Sequence, residues 1–390
     1  MKRIMFMTNT LYGGGAEKVL QTILKNLDYG KYDVTLYSMH REVPDPEKYP
    51  NSVKYRAVFD SYSGSSRLLG FLHALYAKVR GKAFQILPSS IFYRLFIRGT
   101  YDVEVAFIEG ESTKIIAGSP NKKSRKIAWV HVDLEANPWT DFLYDSVESE
   151  AKEYSKFNQI VCVSNATREA FLKKYNIVQE DIVVVHYNPI DQAEIIANSL
   201  LGEEIIKEDS RIIVAVGRLV HQKGFDRLLR ACGRLKDDGF CFSLHIIGQG
   251  EEKNELVKLS LQENIENNVV FHDYLDNPYP IMKSSDLLVC SSRAEGYSLV
   301  VAEAMILGLA IVSTECSGPV ELLEHGQYGL LAKNSTDGIY SALKTLLNDA
   351  PLIDYYKKKS IERAEIFNLS NNMLIIEQIL DGKYNEPILC

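Results

Sequence analysis

Paired cysteines, long apolar runs and metal-ligand clusters are all missing from this chain. Its six cysteines (162, 232, 241, 290, 316 and 390) include no Cys-x-x-Cys pair. So scattered a set in 390 residues supplies no disulfide framework and points to a reducing compartment, the cytoplasm. No stretch of about 18 apolar residues occurs, so no membrane-spanning helix is expected. The opening MKRIMFMTNT carries an apolar run far too short for a secretory signal. No Asp-x-Asp sequence occurs, and no His, Asp, Glu or Cys group has ligand spacing, so neither a divalent ion nor another cofactor is expected. The lack of a Gly-x-Ser-x-Gly elbow leaves serine-hydrolase chemistry without support. Basic charge is in the minority, 44 Lys and Arg against 51 Asp and Glu, which argues against nucleic acid as the main partner. There is no short-period repeat and no low-complexity tract.

What remains is an ordinary soluble composition, 46% hydrophobic and 24% charged, on a chain long enough for two domains. Short apolar runs at 3–8, 32–39, 101–108, 126–132 and 159–164 read as strands, with helices at 16–28 and 165–175. The alternation then restarts. Strands are predicted at 211–217, 241–248, 268–274, 286–292 and 309–314, and helices at 224–238, 251–263, 298–307 and 336–349. The runs lack polar alternation, which indicates parallel sheets covered on both faces. The series changes near 188–210, and a helical, amphipathic tail follows from about 352 to 380. Two doubly wound α/β halves of this kind would place a cleft at the carboxyl ends of their strands.

The motifs fall just after predicted strands. In TNTLYGGGAEKVL (8–20), Gly13, Gly14 and Gly15 precede a helix, a place where free backbone N–H groups meet an anion. Lys18 breaks the dinucleotide fingerprint and no Gly-Lys-Ser/Thr follows, so a tight strand-to-helix turn is the ordinary reading. In VAVGRLVHQKGFDRLL (214–229), Arg218 and Lys223 flank a loop at a strand end and suit a diphosphate, one as a fork and one as a mobile point charge. Gly248 opens the next strand-end turn, a weak signal alone. His131 ends the apolar strand AWVHV, where it either packs in the core or faces a ligand.

SRAEGYSLVVAEAM (292–305) holds two acids, Glu295 at a helix mouth and Glu303 within the helix, with Ser298 placed as N-cap. Glu303 sits among Val300, Val301, Ala302, Ala304 and Met305, and a buried unpaired charge costs several kcal/mol. It therefore needs a partner, either the hydroxyls of a sugar or a helix-edge cation. Glu295 is otherwise an acid favoured by the helix dipole. Eight helical steps span roughly 12 Å, beyond the 5 to 9.5 Å or so of a glycosidase couple. Two separate hydroxyl-binding roles fit better.

Taken together, Glu295 and Glu303 seven residues apart, GRLVHQKGFDRLL (217–229), VSNATREAF (163–171), NPID (188–191) and GPVELLEHGQYGLL (318–331) resemble the family 4 glycosyltransferases, retaining enzymes of the GT-B fold. The resemblance covers most of the chain. It implies an acceptor-binding Rossmann-like domain at 1–190, a donor-binding one at 191–365 facing it across a central cleft, and a tail at 366–390 crossing back. It further implies that Arg218 and Lys223 bind the donor diphosphate and Glu303 the ribose. Glu295 would contact the transferred sugar, within a donor-binding turn of Gly296, Tyr297, Ser298 and Leu299. Gly14 and Gly15 would approach the donor phosphate, Gly248 would line the nucleotide pocket and His131 would lie near the sugar. Tyr297-Ser298 departs from the Phe-Pro often found there. The donor would be a nucleotide-sugar, UDP-linked by family habit, and the acceptor a glycan or lipid-linked glycan of a bacterial surface polymer. An epimerase, a glycan phosphorylase or a non-catalytic nucleotide-sugar-binding module are the competing readings.

Between Asp60 and Asp102 there is no acid, while Arg67, Lys78, Arg80, Lys82, Arg94 and Arg98 interleave with apolar residues. A basic amphipathic stretch suits an anionic lipid surface, so residues 62–98 are expected to make peripheral contact with the inner membrane. The alternative is an apolar face packed on the first sheet with its cations in water.

Overall fold

The computed structural model describes residues 1–59, 82, 86–176, 178–202 and 210–384. They form two units, Met1–Pro189 with Ser370–Cys390, and Ile190–Leu369. The first holds seven strands: β1 (Lys2–Thr8), β2 (Tyr32–His40), β3 (Lys54–Phe59), β4 (Val103–Ala106), β5 (Arg125–Val130), β6 (Gln159–Cys162) and β7 (Val183–Val185). They lie in the order β3-β2-β1-β4-β5-β6-β7 and every pairing is parallel. The second holds β8 (Arg211–Val216), β9 (Phe242–Ile247), β10 (Val269–His272), β11 (Leu287–Cys290), β12 (Ala310–Thr314) and β13 (Leu330–Ala332). Their order is β10-β9-β8-β11-β12-β13, again parallel throughout.

Both sheets follow from the unalternating apolar runs. Ile4, Met5, Phe6 and Met7 on β1 are all fully buried, as are Ile213, Val214 and Ala215 on β8. A strand buried on both faces needs no polar side, and helices supply the cover. Chain order reverses between β1 and β4, and again between β8 and β11, which are the positions where doubly wound sheets open a crevice at their strand ends.

The ten strands predicted are present, several trimmed at both ends: 101–108 becomes Val103–Ala106 and 268–274 becomes Val269–His272. Strands β3, β7 and β13 were not foreseen. All three are edge strands, and two are only three residues long, too short to carry a pattern. The helical tail is two helices, Ala350–Ala364 and Leu369–Asp381. The second belongs with the first unit through the Lys2–Asp381 ion pair at 2.6 Å and a bond from Arg125 Nε to Ile379 O. Most of the basic stretch 62–98 lies outside the described residues. Its last part forms the helix Ser89–Phe96, which buries Phe92 and Tyr93 and leaves Leu95 exposed. Among the described residues no helix is long and apolar enough to cross a membrane.

Candidate functional site

In the second unit the expected residues gather at the tips of β8, β9 and β11. Gly217 follows β8 and Gly248 follows β9. A side chain on Gly248 would fall on the Gly217 carbonyl, so only glycine lets these two tips close. The loop from β8 then makes a short turn at His221–Lys223, and Gly224, in the left-handed region at φ 65°, opens the helix Phe225–Asp237.

Lys223 Nζ lies 2.5 Å from Glu295 Oε1, bringing together two residues 72 positions apart. Ser292 Oγ donates to the same carboxylate oxygen at 2.6 Å. Burial opposes the Lys223 charge, but the Glu295 carboxylate outweighs it and holds the ammonium above its ordinary pKa. The two loops carrying the pair are stitched along their length. Ser291 Oγ donates to Lys223 O at 2.9 Å and Arg293 N to Gln222 O at 2.7 Å. Arg293 also forks onto Asp226 at 2.9 and 2.8 Å. A small pocket beside the pair is lined by Val216, Lys223, Cys290, Ser292, Glu295 and Val300. Arg218 stands exposed, and no ion pair involves it among the described residues. Its charge reaches Lys223, where it opposes protonation.

Glu303 is 6% exposed on the helix Leu299–Ile306, and Tyr279 Oη donates to its Oε1 at 3.3 Å. A buried tyrosine is thus one partner that the apolar setting demanded. The Gly296-Tyr297-Ser298 turn is clamped from beneath: Gly318 N and Ser317 Oγ both donate to Glu295 O at 3.1 Å, and Gly318 packs on the backbone of Gly296 and Tyr297. Ser298 does hold the N-cap position before Leu299, but not by capping. Its backbone is left-handed at φ 73° and its side chain makes no cap bond; its Oγ lies 3.8 Å from Cys290 Sγ instead.

In the first unit, Gly13 turns the chain at φ 103° after β1, and Gly14 caps the helix Gly15–Asn26. The space over Gly14 is filled by the Glu17 carboxylate, which also accepts from Thr10 Oγ1 at 2.8 Å. His131 follows β5. Its Nε2 bonds Phe107 O at 2.9 Å, and since a carbonyl only accepts, Nε2 carries the proton and Nδ1 is the acceptor. Burial lowers the His131 pKa to about 4, so the ring is neutral at pH 7. Glu109 Oε1 accepts the backbone N–H groups of His131 and Val132, the latter at 3.0 Å. That carboxyl is 2% exposed, and burial raises its pKa to about 7.

Sequence reading missed Glu17, Glu109, Ser292, Asp226 and Arg293. For Glu17 a signal existed, an acid in the first helical turn beside the glycines. Glu109, Asp226 and Arg293 act through partners far along the chain and left no local pattern, and Ser292, three residues before Glu295, carries no motif that marks the contact.

Residues 199–363 match the family described as glycosyl transferases group 1. A similar curated protein is N-acetylgalactosamine-N,N'-diacetylbacillosaminyl-diphospho-undecaprenol 4-alpha-N-acetylgalactosaminyltransferase of Campylobacter jejuni subsp. jejuni serotype O:2. It is 27% identical over 375 residues, covering 94% of this chain and 96% of that protein. The amylovoran biosynthesis glycosyltransferase AmsD of Erwinia amylovora is 25% identical over 334 residues, 84% of this chain and 85% of that one. Among solved structures, Anabaena Alr3699/HepE in complex with UDP and glucose superposes with a TM-score of 0.75 at 19% identity, over 98% of this chain and 100% of that one. The lipopolysaccharide biosynthesis glycosyltransferase WaaG superposes with a TM-score of 0.65 at 16% identity, over 97% of this chain and 100% of that one. The two parallel α/β units thus share the GT-B fold of these structures, and the match to the group 1 glycosyl transferases lies inside the second unit.

Proposed function

We propose that the chain is a retaining, family 4 transferase that moves a hexose from a UDP-sugar to a lipid-linked glycan in bacterial surface-polymer synthesis, without a divalent ion. The observation that carries this reading is the Lys223–Glu295 pair, cation and carboxylate 2.5 Å apart at the switch point of the second sheet. A nucleotide-sugar offers the complement of both, a diphosphate for the cation and sugar hydroxyls for the acid. As the bond from C1 to the phosphate oxygen breaks, charge grows on the diphosphate. Lys223 and Arg218 stabilise that charge more in the transition state than in the ground state. The acceptor oxygen attacks C1 from the face the diphosphate leaves, and its proton passes to the departing phosphate oxygen, so configuration is kept without a protein nucleophile. Glu295 accepts from the sugar's hydroxyls and Glu303 from the ribose. In the second unit, Gly248 and the turn from Gly296 to Leu299 admit the ligand backbone-close; in the first, Gly14 and Gly15 are assigned to the donor phosphate and neutral His131 to its sugar. The Campylobacter relative, named as an alpha-transferase acting on a diphospho-undecaprenol-linked sugar, supports the lipid-linked acceptor, and the UDP complexes of Anabaena HepE support the nucleotide.

The test is thermal unfolding with UDP, GDP and ADP, since a ligand bound to the folded state alone raises its melting temperature. UDP should give the largest rise. Lys223→Ala should abolish that rise and cut turnover of a UDP-hexose at least tenfold, the loss of a hydrogen bond to a charged group costing about 1.5–3 kcal/mol. An undiminished UDP response in Lys223→Ala sinks the assignment. Chelator should leave turnover unchanged, and the anomeric configuration of the product, read by NMR, should match that of the donor. We further propose that residues 62–98 dock on anionic lipid at the cytoplasmic face of the membrane. Flotation with anionic liposomes at low salt tests this, and an unbound protein ends it.

A further inference from the structure

We propose that Ser292 is a positioning residue: it engages one oxygen of Glu295 and so turns the other toward the sugar. The inference rests on the transferase reading of this site and adds to it a residue that acts through Glu295.

Glu295 Oε1 takes two donors, Lys223 Nζ at 2.5 Å and Ser292 Oγ at 2.6 Å. Among the described residues no protein group bonds Oε2. The carboxylate is therefore asymmetric before any ligand arrives. A hydroxyl has one proton to give, and the direction of this one is set from below. Cys290 Sγ donates to Ser292 Oγ at 3.7 Å, which places a donor on the serine's lone pair and leaves its O–H for Glu295. The serine is itself held: Thr314 Oγ1 donates to Ser292 O at 2.6 Å and Cys316 Sγ to the same oxygen at 3.0 Å. Ser292 is 2% exposed, so water does not compete for its hydroxyl.

The two donors to Oε1 differ in what they do once a donor sugar binds. Lys223 is the cation a diphosphate would recruit, and any movement of Nζ toward phosphate loosens its hold on Glu295. Ser292 has no such competing partner. It is the contact that survives binding, and it keeps Oε2 in place while the ammonium is shared.

The test is a cycle of Ser292→Ala, Glu295→Ala and the double variant in the full chain, with Ser292→Thr as the hydroxyl-retaining control. The first readout is thermal unfolding without ligand. Ser292→Ala should lower the melting temperature in the wild-type background and lower it no further in Glu295→Ala; additive losses overturn the proposal. The second is steady-state turnover of whichever of UDP-glucose, UDP-galactose and their N-acetylhexosamine counterparts the wild type uses. Ser292→Ala should lower kcat roughly ten- to a hundredfold, the worth of one hydrogen bond to a charged group, with donor KM within about twofold. Ser292→Thr should recover most of that loss. A KM effect without a kcat effect, or an equal kcat loss in Ser292→Thr with its melting temperature kept, overturns it. If the wild type neither binds UDP nor turns over a UDP-sugar, the transferase reading fails, and the unfolding cycle still decides whether Ser292 holds Glu295.

Discussion

The Lys223–Glu295 pair is one contact to which the proposed function gives two competing jobs. Unliganded, each residue satisfies the other in a half-buried site, where either charge alone would be costly. On the proposed function, a bound diphosphate would draw Lys223 away from Glu295. Glu295→Gln should therefore release Lys223 and tighten UDP several-fold by calorimetry while lowering turnover; weaker UDP binding would contradict the competition. The other residue-scale prediction concerns pH. His131 has a folded pKa of about 4 against an ordinary value of 6.5. The unfolded chain takes up its proton first, so the stability it contributes is present above pH 6.5 and is lost as pH falls toward 4. Glu109, at about 7 against 4.5, has the opposite sign: its contribution is present below pH 4.5 and is lost as pH rises to 7. Melting curves from pH 4 to 7.5 should show His131→Gln gaining on wild type as pH falls and Glu109→Gln gaining as pH rises. Parallel curves would mean the two groups are not buried as described.

At the scale of elements, the site is a product of strand tips brought close. Gly217 and Gly248 end neighbouring parallel strands, and the missing side chain on Gly248 is what lets their backbones meet. Gly248→Ala should force the tips of β8 and β9 apart. We expect a stability loss of roughly 1–3 kcal/mol, the range for overpacking, and a larger loss in UDP affinity than in stability. Denaturant unfolding and calorimetry on the same variant separate the two. The clamp of Ser317 and Gly318 on Glu295 O shows the same logic from the other side. A loop that must present a carboxylate is held by its backbone, so its side chain stays available.

For the whole molecule, the C-terminal helix Leu369–Asp381 is part of the first unit from Ser370 onward, although the second unit precedes it in the chain. Ile376, Ile379 and Leu380 are fully buried, and Gln159 Nε2 donates to Tyr384 O at 2.9 Å. Burying three such side chains is worth roughly 5–9 kcal/mol, comparable with the whole stability of a domain. Truncation after Leu369 should therefore melt the first unit well below the second, visible as a separate early calorimetric transition and as rapid proteolysis confined to the first unit. A single unchanged transition would show the tail to be dispensable.

The sequence by itself determined the strand–helix alternation, the parallel character of both sheets and the place of each motif at a strand end. Apolar runs without polar alternation admit few other packings, and glycine with a cation after such a run is a local signal. It could not show the short edge strands, which are too brief to carry a period, or that Ser298 would leave its hydroxyl off the helix N-terminus. Only the tertiary structure decided that Lys223 meets Glu295, that Ser292 and Tyr279 supply the acids with donors, and that Glu109 holds the backbone at His131. Lys223–Glu295, Tyr279–Glu303 and the Glu109 bond at His131 each join residues from different elements, and Ser292 reaches Glu295 only because the loop after β11 folds back on itself. Hydrogen bonds of this kind depend on register and close approach, which no spacing along the chain encodes.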